Sequence, residues 1–226
     1  MTGSLASRWV GDFLFGFGAL FAIINPYGLA FVFLERTMSL SERERASIAL
    51  RVALYAFAVL VVSLFLGSQI LRFFGISMPA LRIAGGLVVA VAGWSMLHET
   101  PVASERHAAS TVDFAAIQKM AFFPLTIPLT TGPGTIATAI AIGANRPDDF
   151  DALFSLAIVW LFVALAVTAA IYHAYRRSSA MARLLGEEGT SVITRLSAFL
   201  LLCIGVQIIV TGLVEVARSV LDGAHP

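Results

Sequence analysis

Charge is what this sequence has little of. Only 13% of its 226 residues are Asp, Glu, Lys or Arg, against 58% hydrophobic, and the mean hydropathy is +0.88. A soluble chain of this length carries about a quarter charged residues to keep its surface in water, so an ordinary cytosolic enzyme is excluded. A disordered chain is excluded as well, because disorder needs low hydrophobicity and high net charge. The 15 Lys and Arg against 14 Asp and Glu leave a net charge of +1, which provides no basic face for the phosphates of a nucleic acid. Cysteine is nearly missing. The single Cys203 sits in an apolar run, which rules out an internal disulfide and a cysteine metal site. The four histidines, His98, His107, His173 and His225, are too scattered to hold a metal ion, and no cofactor is expected. Nothing matches the GxxxxGK[ST] loop that cradles nucleotide phosphates, so this chain does not hydrolyse ATP.

What the sequence does have is long uncharged runs. Phe13 to Leu34, Val52 to Leu71, Met120 to Asn145, Ala152 to Tyr172 and Leu196 to Val214 contain no charged residue or histidine. A sixth run, Pro79 to Leu97, is interrupted only by Arg82 in its first turn, where a long side chain can snorkel to the headgroups. About 20 helical residues cross a hydrocarbon core, so six such runs predict six transmembrane helices. Barrel strands would instead be about ten residues long and alternate in polarity. The first run is expected to stay attached as a span: it is too long for a signal-peptide core, and no small-x-small cleavage site follows it before Glu35. None of the runs holds a charged dyad, a Ser and His pair or an HExxH motif, so an intramembrane enzyme is not expected.

Orientation follows from where the cations lie. The gaps after spans one, three and five hold nine, namely Arg36, Arg43, Arg45, Arg51, Arg106, Lys119, Arg176, Arg177 and Arg183. The other side holds Arg8, Arg72, Arg146 and Arg218, with Arg82 and Arg195 assigned there as span ends. Both termini are therefore expected outside the cytoplasm.

The two halves resemble one another. Leu20 to Gly28 in span one parallels Ile127 to Gly134 in span four, each an apolar run stopped by a proline among helix breakers. Arg82 and Arg195 lead into spans three and six at matching places. The offset is 107 residues for Pro26 and Pro133, and 113 for the arginines. With three spans per half, the second half enters the membrane from the opposite face, an architecture frequent in secondary transporters. The fold expected is an all-α membrane protein of two inverted three-helix repeats, with helices one and four broken in mid-membrane. The first repeat covers 1–101, a cytoplasmic linker 102–116, and the second repeat 117–226.

The breaks are where function is expected. Pro26 lacks an amide donor and Gly28 tolerates unusual backbone angles, while Asn25 is suited to cap a half-helix that starts at Pro26. Thr130-Thr131-Gly132-Pro133-Gly134 is a stronger breaker. Unwound backbone cannot face lipid, so it packs in protein or lines a polar cavity. If the breaks meet, two half-helix N-termini converge, each with free amides and about half a positive charge. That suits a carboxylate. With no Asp, Glu, Lys or His near the middle of any span, a zwitterion held by helix ends fits better than a strongly charged cargo. The substrate-binding candidates are Asn25, Pro26, Tyr27, Gly28, Thr130, Thr131, Gly132, Pro133 and Gly134. Thr126, Thr135, Thr138 and Gln207 form a wider pool of polar groups. The Gly85-Gly86 pair with Ala90 and Gly93 reads as a close-packing stripe.

At Asn25-Pro26-Tyr27-Gly28, at Gly132-Pro133-Gly134, at Phe74-Gly-Ile-Ser77 and at Arg82-Ile-Ala-Gly-Gly86, the chain resembles the MarC family of bacterial integral membrane proteins. That family is also called the six-span neutral amino acid transporter family. The resemblance implies six spans, inverted halves, an inner-membrane location and, in some members, transport or export of glycine, alanine and similar neutral amino acids. Tyr27 stands where many relatives carry a small aliphatic residue; it would narrow the pocket or lend a hydroxyl. The partners expected are a small neutral solute and the lipid bilayer, with no nucleic acid and homo-oligomerisation left open. The reading is an exporter of small neutral amino acids working by alternating access. The rivals are a noncatalytic membrane scaffold or assembly protein and an exporter of another small solute. The coupling ion is not legible, because a proton relay usually needs a carboxylate or histidine inside the membrane.

Overall fold

The computed structural model describes residues 5–98, 120–144 and 150–222, and all regular structure among them is helical. The linker expected at 102–116 lies outside the described residues. Eight elements follow in order: α1 (Leu5–Ile24), α2 (Pro26–Arg36), α3 (Glu42–Phe73), α4 (Met78–His98), α5 (Ala121–Thr130), α6 (Pro133–Ala144), α7 (Phe150–Arg176) and α8 (Ser178–Asp222).

Local chemistry sets most of these boundaries. Ser41 caps α3 in a reciprocal box: its Oγ accepts from the Glu44 amide at 3.4 Å, and Glu44 Oε2 accepts from the Ser41 amide at 2.9 Å. The helix ends where Gly75 takes a φ of +67°, letting the Ile76 amide reach back to the Leu71 carbonyl at 2.9 Å. Ser77 then caps α4 through the Ala80 amide at 3.3 Å. In α8, Gly186 (φ 70°, ψ 179°) kinks the chain between a short segment and the long final crossing.

Five stretches are long and apolar enough to cross a bilayer: Ser7–Arg36, Glu42–Phe73, Met78–His98, Leu153–Arg176 and Glu188–Leu221. The pair α5 and α6, bent by 66° at its break, is long and apolar enough only when taken together. The outward surfaces of these helices carry large apolar side chains such as Leu14, Phe15, Leu54, Leu66, Phe162 and Leu165, all exposed, as lipid-facing helices require. Inside, Leu20, Ile24, Phe33, Ile48, Leu60 and Val163 form a core with almost no exposure, and Phe33 stacks on Tyr175 with ring centroids 4.4 Å apart.

The packing reflects an internal two-fold. Exchanging α1, α2, α3 and α4 for α5, α6, α7 and α8 maps nearly every helix contact onto another. α4 packs on α8 and α3 on α7; α3 against α6 matches α7 against α2; α4 against α6 matches α8 against α2. Among the main helix contacts of the described residues, only the minor α7–α8 contact falls outside this exchange.

The largest interface, α4 with α8, is antiparallel and built on glycine. Gly93 meets Ala198 and Leu202, Gly86 meets Gly205, and Pro79 meets Gly212, steps of seven residues in opposite directions along the two helices. A Cβ on Gly205 would lie 2.4 Å from the Ala90 nitrogen, so these backbones touch directly. The small-residue stripe of span three is therefore a packing seam.

Two sequence-based expectations change here. Arg82 does not simply snorkel: it forms an ion pair with Glu215 near the end of α8. Arg195 lies at the opposite end of the α4–α8 pair from Arg82, because the helices are antiparallel. It therefore belongs on the side of Arg176, Arg177 and Arg183 and adds to that side's excess of cations.

At that same end, Arg45 is only 8% exposed and makes four hydrogen bonds to neutral groups. Its Nε donates to Thr37 Oγ1 at 3.2 Å, Nη1 to Ser179 Oγ at 2.6 Å, and Nη2 to the carbonyls of Thr37 and Leu40 at 2.9 and 3.0 Å. The guanidinium thus ties the α2–α3 turn to the start of α8.

Candidate functional site

The first break is a swivel of one residue. Asn25 adopts φ 45° and ψ 60°, the left-handed region that Asn tolerates better than most residues. The hydrogen-bond ladder resumes on both sides, with the Asn25 amide bonded to Phe21 at 2.9 Å and the Leu29 amide to the Asn25 carbonyl at 3.0 Å. Pro26 occupies the first helical position, where its missing amide costs nothing. The Asn25 Oδ1 accepts from the Gly28 amide at 3.3 Å. This N-terminus is therefore capped by its own chain, and the expectation of free amides here is corrected.

The second break is longer. Phe123 and Ile127 are extended, with φ/ψ of −129°/122° and −115°/124°, and each precedes a proline joined by a cis bond. Between them the chain turns widely, with bonds spanning five residues. Thr126 Oγ1 donates to the Ala121 carbonyl at 2.6 Å, Thr130 Oγ1 to that of Leu125 at 2.6 Å, and Thr131 Oγ1 to that of Thr126 at 3.2 Å. Thr130 also accepts from the buried Tyr175 hydroxyl at 2.8 Å. The hydroxyls of Thr126, Thr130 and Thr131 thus hold the wide turn together. As ligand donors they are already committed.

α6 then starts at Pro133 with Gly132 at its cap position, and its first internal bond runs from the Ile136 amide to the Gly132 carbonyl at 3.0 Å. Glycine brings no capping side chain. It cannot be replaced cheaply, because a Cβ there would lie 2.5 Å from the Pro128 carbonyl oxygen. Among the described residues, the amides of Gly134 and Thr135 make no hydrogen bond.

The two breaks do not meet face to face. Gly28 packs against Ser197 of α8, and Pro133 against Gly85 of α4. On the glycine seam, Ser197 lies near the level of Gly93 while Gly85 lies near that of Gly205. The levels differ by seven to nine residues, roughly 12 Å at 1.5 Å per residue. A cavity of about 20 Å³ sits between them, walled by Val88, Val89 and Ala92 of α4, Leu201 of α8 and Ile23 of α1, and by Pro128 to Thr130, Gly132 and Thr135 from the second break. Such a volume holds about one water, and Val88 on its wall is exposed.

Of the nine candidates, Thr130 and Gly132 line this cavity. Thr131 and Gly134 are buried beside it, and Pro133 is half-buried against Gly85. Asn25, Pro26 and Gly28 do not line it, although Ile23, two residues before Asn25, does. Tyr27 points elsewhere: it is 39% exposed and its hydroxyl is 3.2 Å from Nδ1 of His173 on α7. The expectation that Tyr27 narrows the pocket is corrected. Sequence reasoning missed Val88, Val89, Ala92 and Leu201, which carry no chemical signature, and held Thr135 only in the wider pool.

Together these features define a multi-pass α-helical membrane protein with two broken helices and a small cavity between the breaks. The chain belongs to the MarC family of integral membrane proteins, whose family pattern matches residues 11–217. It is 35% identical over 212 residues to the UPF0056 inner membrane protein MarC of Citrobacter koseri, covering 90% of this chain and 95% of that protein. The proteins of the same name from Salmonella typhimurium and Escherichia coli O1:K1 / APEC are each 34% identical, over 216 and 209 residues, at the same coverage. No solved structure matches.

Proposed function

We propose that this protein is a secondary transporter of small neutral amino acids such as glycine or alanine, an exporter working by alternating access. The observation that carries this reading is the cavity beside the α4–α8 seam, between the two breaks, bordered by an N-terminus whose Gly134 and Thr135 amides have no partner among the described residues. Two unpaired amides and the half-charge of a helix end attract a carboxylate. The mostly aliphatic walls suit a short side chain and offer nothing to a charged one.

The void admits one water, so a solute enters only when the halves part. Rocking one three-helix half against the other about the seam opens the site to one face at a time. The cation imbalance, now including Arg195, supports both termini on the non-cytoplasmic side of the inner membrane.

The test is flux. Purified protein in proteoliposomes loaded with unlabelled glycine or alanine takes up the labelled amino acid by exchange, with and without a pH gradient. Exchange no faster than in empty liposomes, for glycine, alanine and serine alike, refutes the reading and favours the scaffold alternative.

A further inference from the structure

The internal repeat contains its own picture of a bound ligand. Asn25 and Gly132 stand at the cap positions of α2 and α6, Pro26 and Pro133 at the first helical positions, and Gly28 and Thr135 at the third, each pair 107 residues apart. The first internal bonds match, Leu29 to Asn25 and Ile136 to Gly132, both at 3.0 Å. In the first half a carboxamide oxygen of the chain accepts from the third-position amide. In the second half that oxygen is missing, because the Pro128 carbonyl leaves no room for a side chain at residue 132.

Thr135 supplies a second, independent sign. The residue is 4% exposed and borders the cavity, and among the described residues its hydroxyl makes no hydrogen bond. A threonine hydroxyl beside a helix usually bonds to a backbone carbonyl, as those of Thr126, Thr130 and Thr131 do here.

We propose that a carboxylate oxygen of the transported solute, entering from the cavity side, does for α6 what the Asn25 side-chain oxygen does for α2, accepting from the Thr135 amide and the Thr135 hydroxyl. This inference rests on the transport reading and sharpens it. One carboxylate binds per chain, at the second half alone, with Thr135 as the contact that selects a carboxylate. The solute's side chain then lies toward Val89 and Ala92, which limits it to about a methyl group until the wall is cut back.

The experiment uses the full chain in lipid nanodiscs, with glycine and glycinamide as probes and thermal stabilisation as the binding readout, beside glycine exchange in proteoliposomes. Glycine stabilises the wild type and Thr135→Ser at similar concentrations. Thr135→Val, which keeps the shape and loses the hydroxyl, needs about ten- to a hundredfold more glycine, the value of a hydrogen bond to a charged group. Its midpoint without ligand stays at the wild-type value, which separates contact from structure. Glycinamide, lacking the carboxylate, has little effect on any variant. Equal glycine responses from the wild type and Thr135→Val overturn the inference while leaving transport intact. Equal responses of the wild type to glycine and glycinamide overturn it also, whether or not Thr135→Val folds. A wild type that neither binds nor exchanges glycine or alanine overturns inference and transport reading together.

Discussion

The glycine seam makes a prediction whose sign can be worked out beforehand. Replacing Gly205 by Ala places a Cβ 2.4 Å from the Ala90 nitrogen, 2.7 Å from its Cα and 2.8 Å from the Gly86 oxygen, where ordinary contact begins at 3.4 Å. All three atoms are backbone or bonded to it, so no side chain can swing aside. The helices must part by about 1 Å, and a gap of that size forfeits a quarter to a half of each neighbouring dispersion contact. Overpacking of this kind costs about 1–3 kcal/mol. Against it stands the gain of about 1 kcal/mol that Ala brings to a helix interior. Gly18 on α1 provides the control: a Cβ there meets nothing within 4 Å, so Gly18→Ala keeps the helical gain without the clash. Thermal unfolding in one detergent should rank Gly18→Ala at or above wild type and Gly205→Ala below it, separated by several degrees at about 2–4 °C per kcal/mol. A Gly205→Ala protein as stable as Gly18→Ala would show that α4 and α8 do not touch through their backbones.

Three further outcomes are expected. Asn25→Ala loses both the cap and the tolerance of left-handed angles, for about 2 kcal/mol, whereas Asn25→Gly stays within a few tenths; the same unfolding assay separates them. Tyr27→Phe removes one exposed hydrogen bond to His173, so stability falls by under about 1 kcal/mol and the KM for glycine exchange does not move. Arg45→Met strands the carbonyls of Thr37 and Leu40 and the hydroxyl of Ser179, at about 3 kcal/mol, and Arg45→Lys recovers only part of it because a single ammonium cannot span four acceptors; chemical unfolding checks both.

Much of this fold is legible in the sequence because lipid imposes simple rules. Uncharged length gives the crossings, Pro with Gly gives the breaks, and the Gly85-Gly86 and Gly93 spacing gives a packing face. The partner glycines at 205 and 212 fit the same logic only once the antiparallel register is seen. The site is less legible. Sequence makes the two breaks look equivalent, yet one carries a capping side chain and the other has no room for one. The threonines of the second break read as ligand donors, but a wide turn needs them for its own carbonyls. Val88, Val89 and Ala92 become site residues only by standing at the level between the breaks.

The self-capped end of α2 also sets a count. The starts of α2 and α6 match, and the chain caps the first with its own amide group, which under the proposal leaves one carboxylate site. A saturation isotherm for one polypeptide should therefore level off at a single equivalent of solute, with a Hill slope of one.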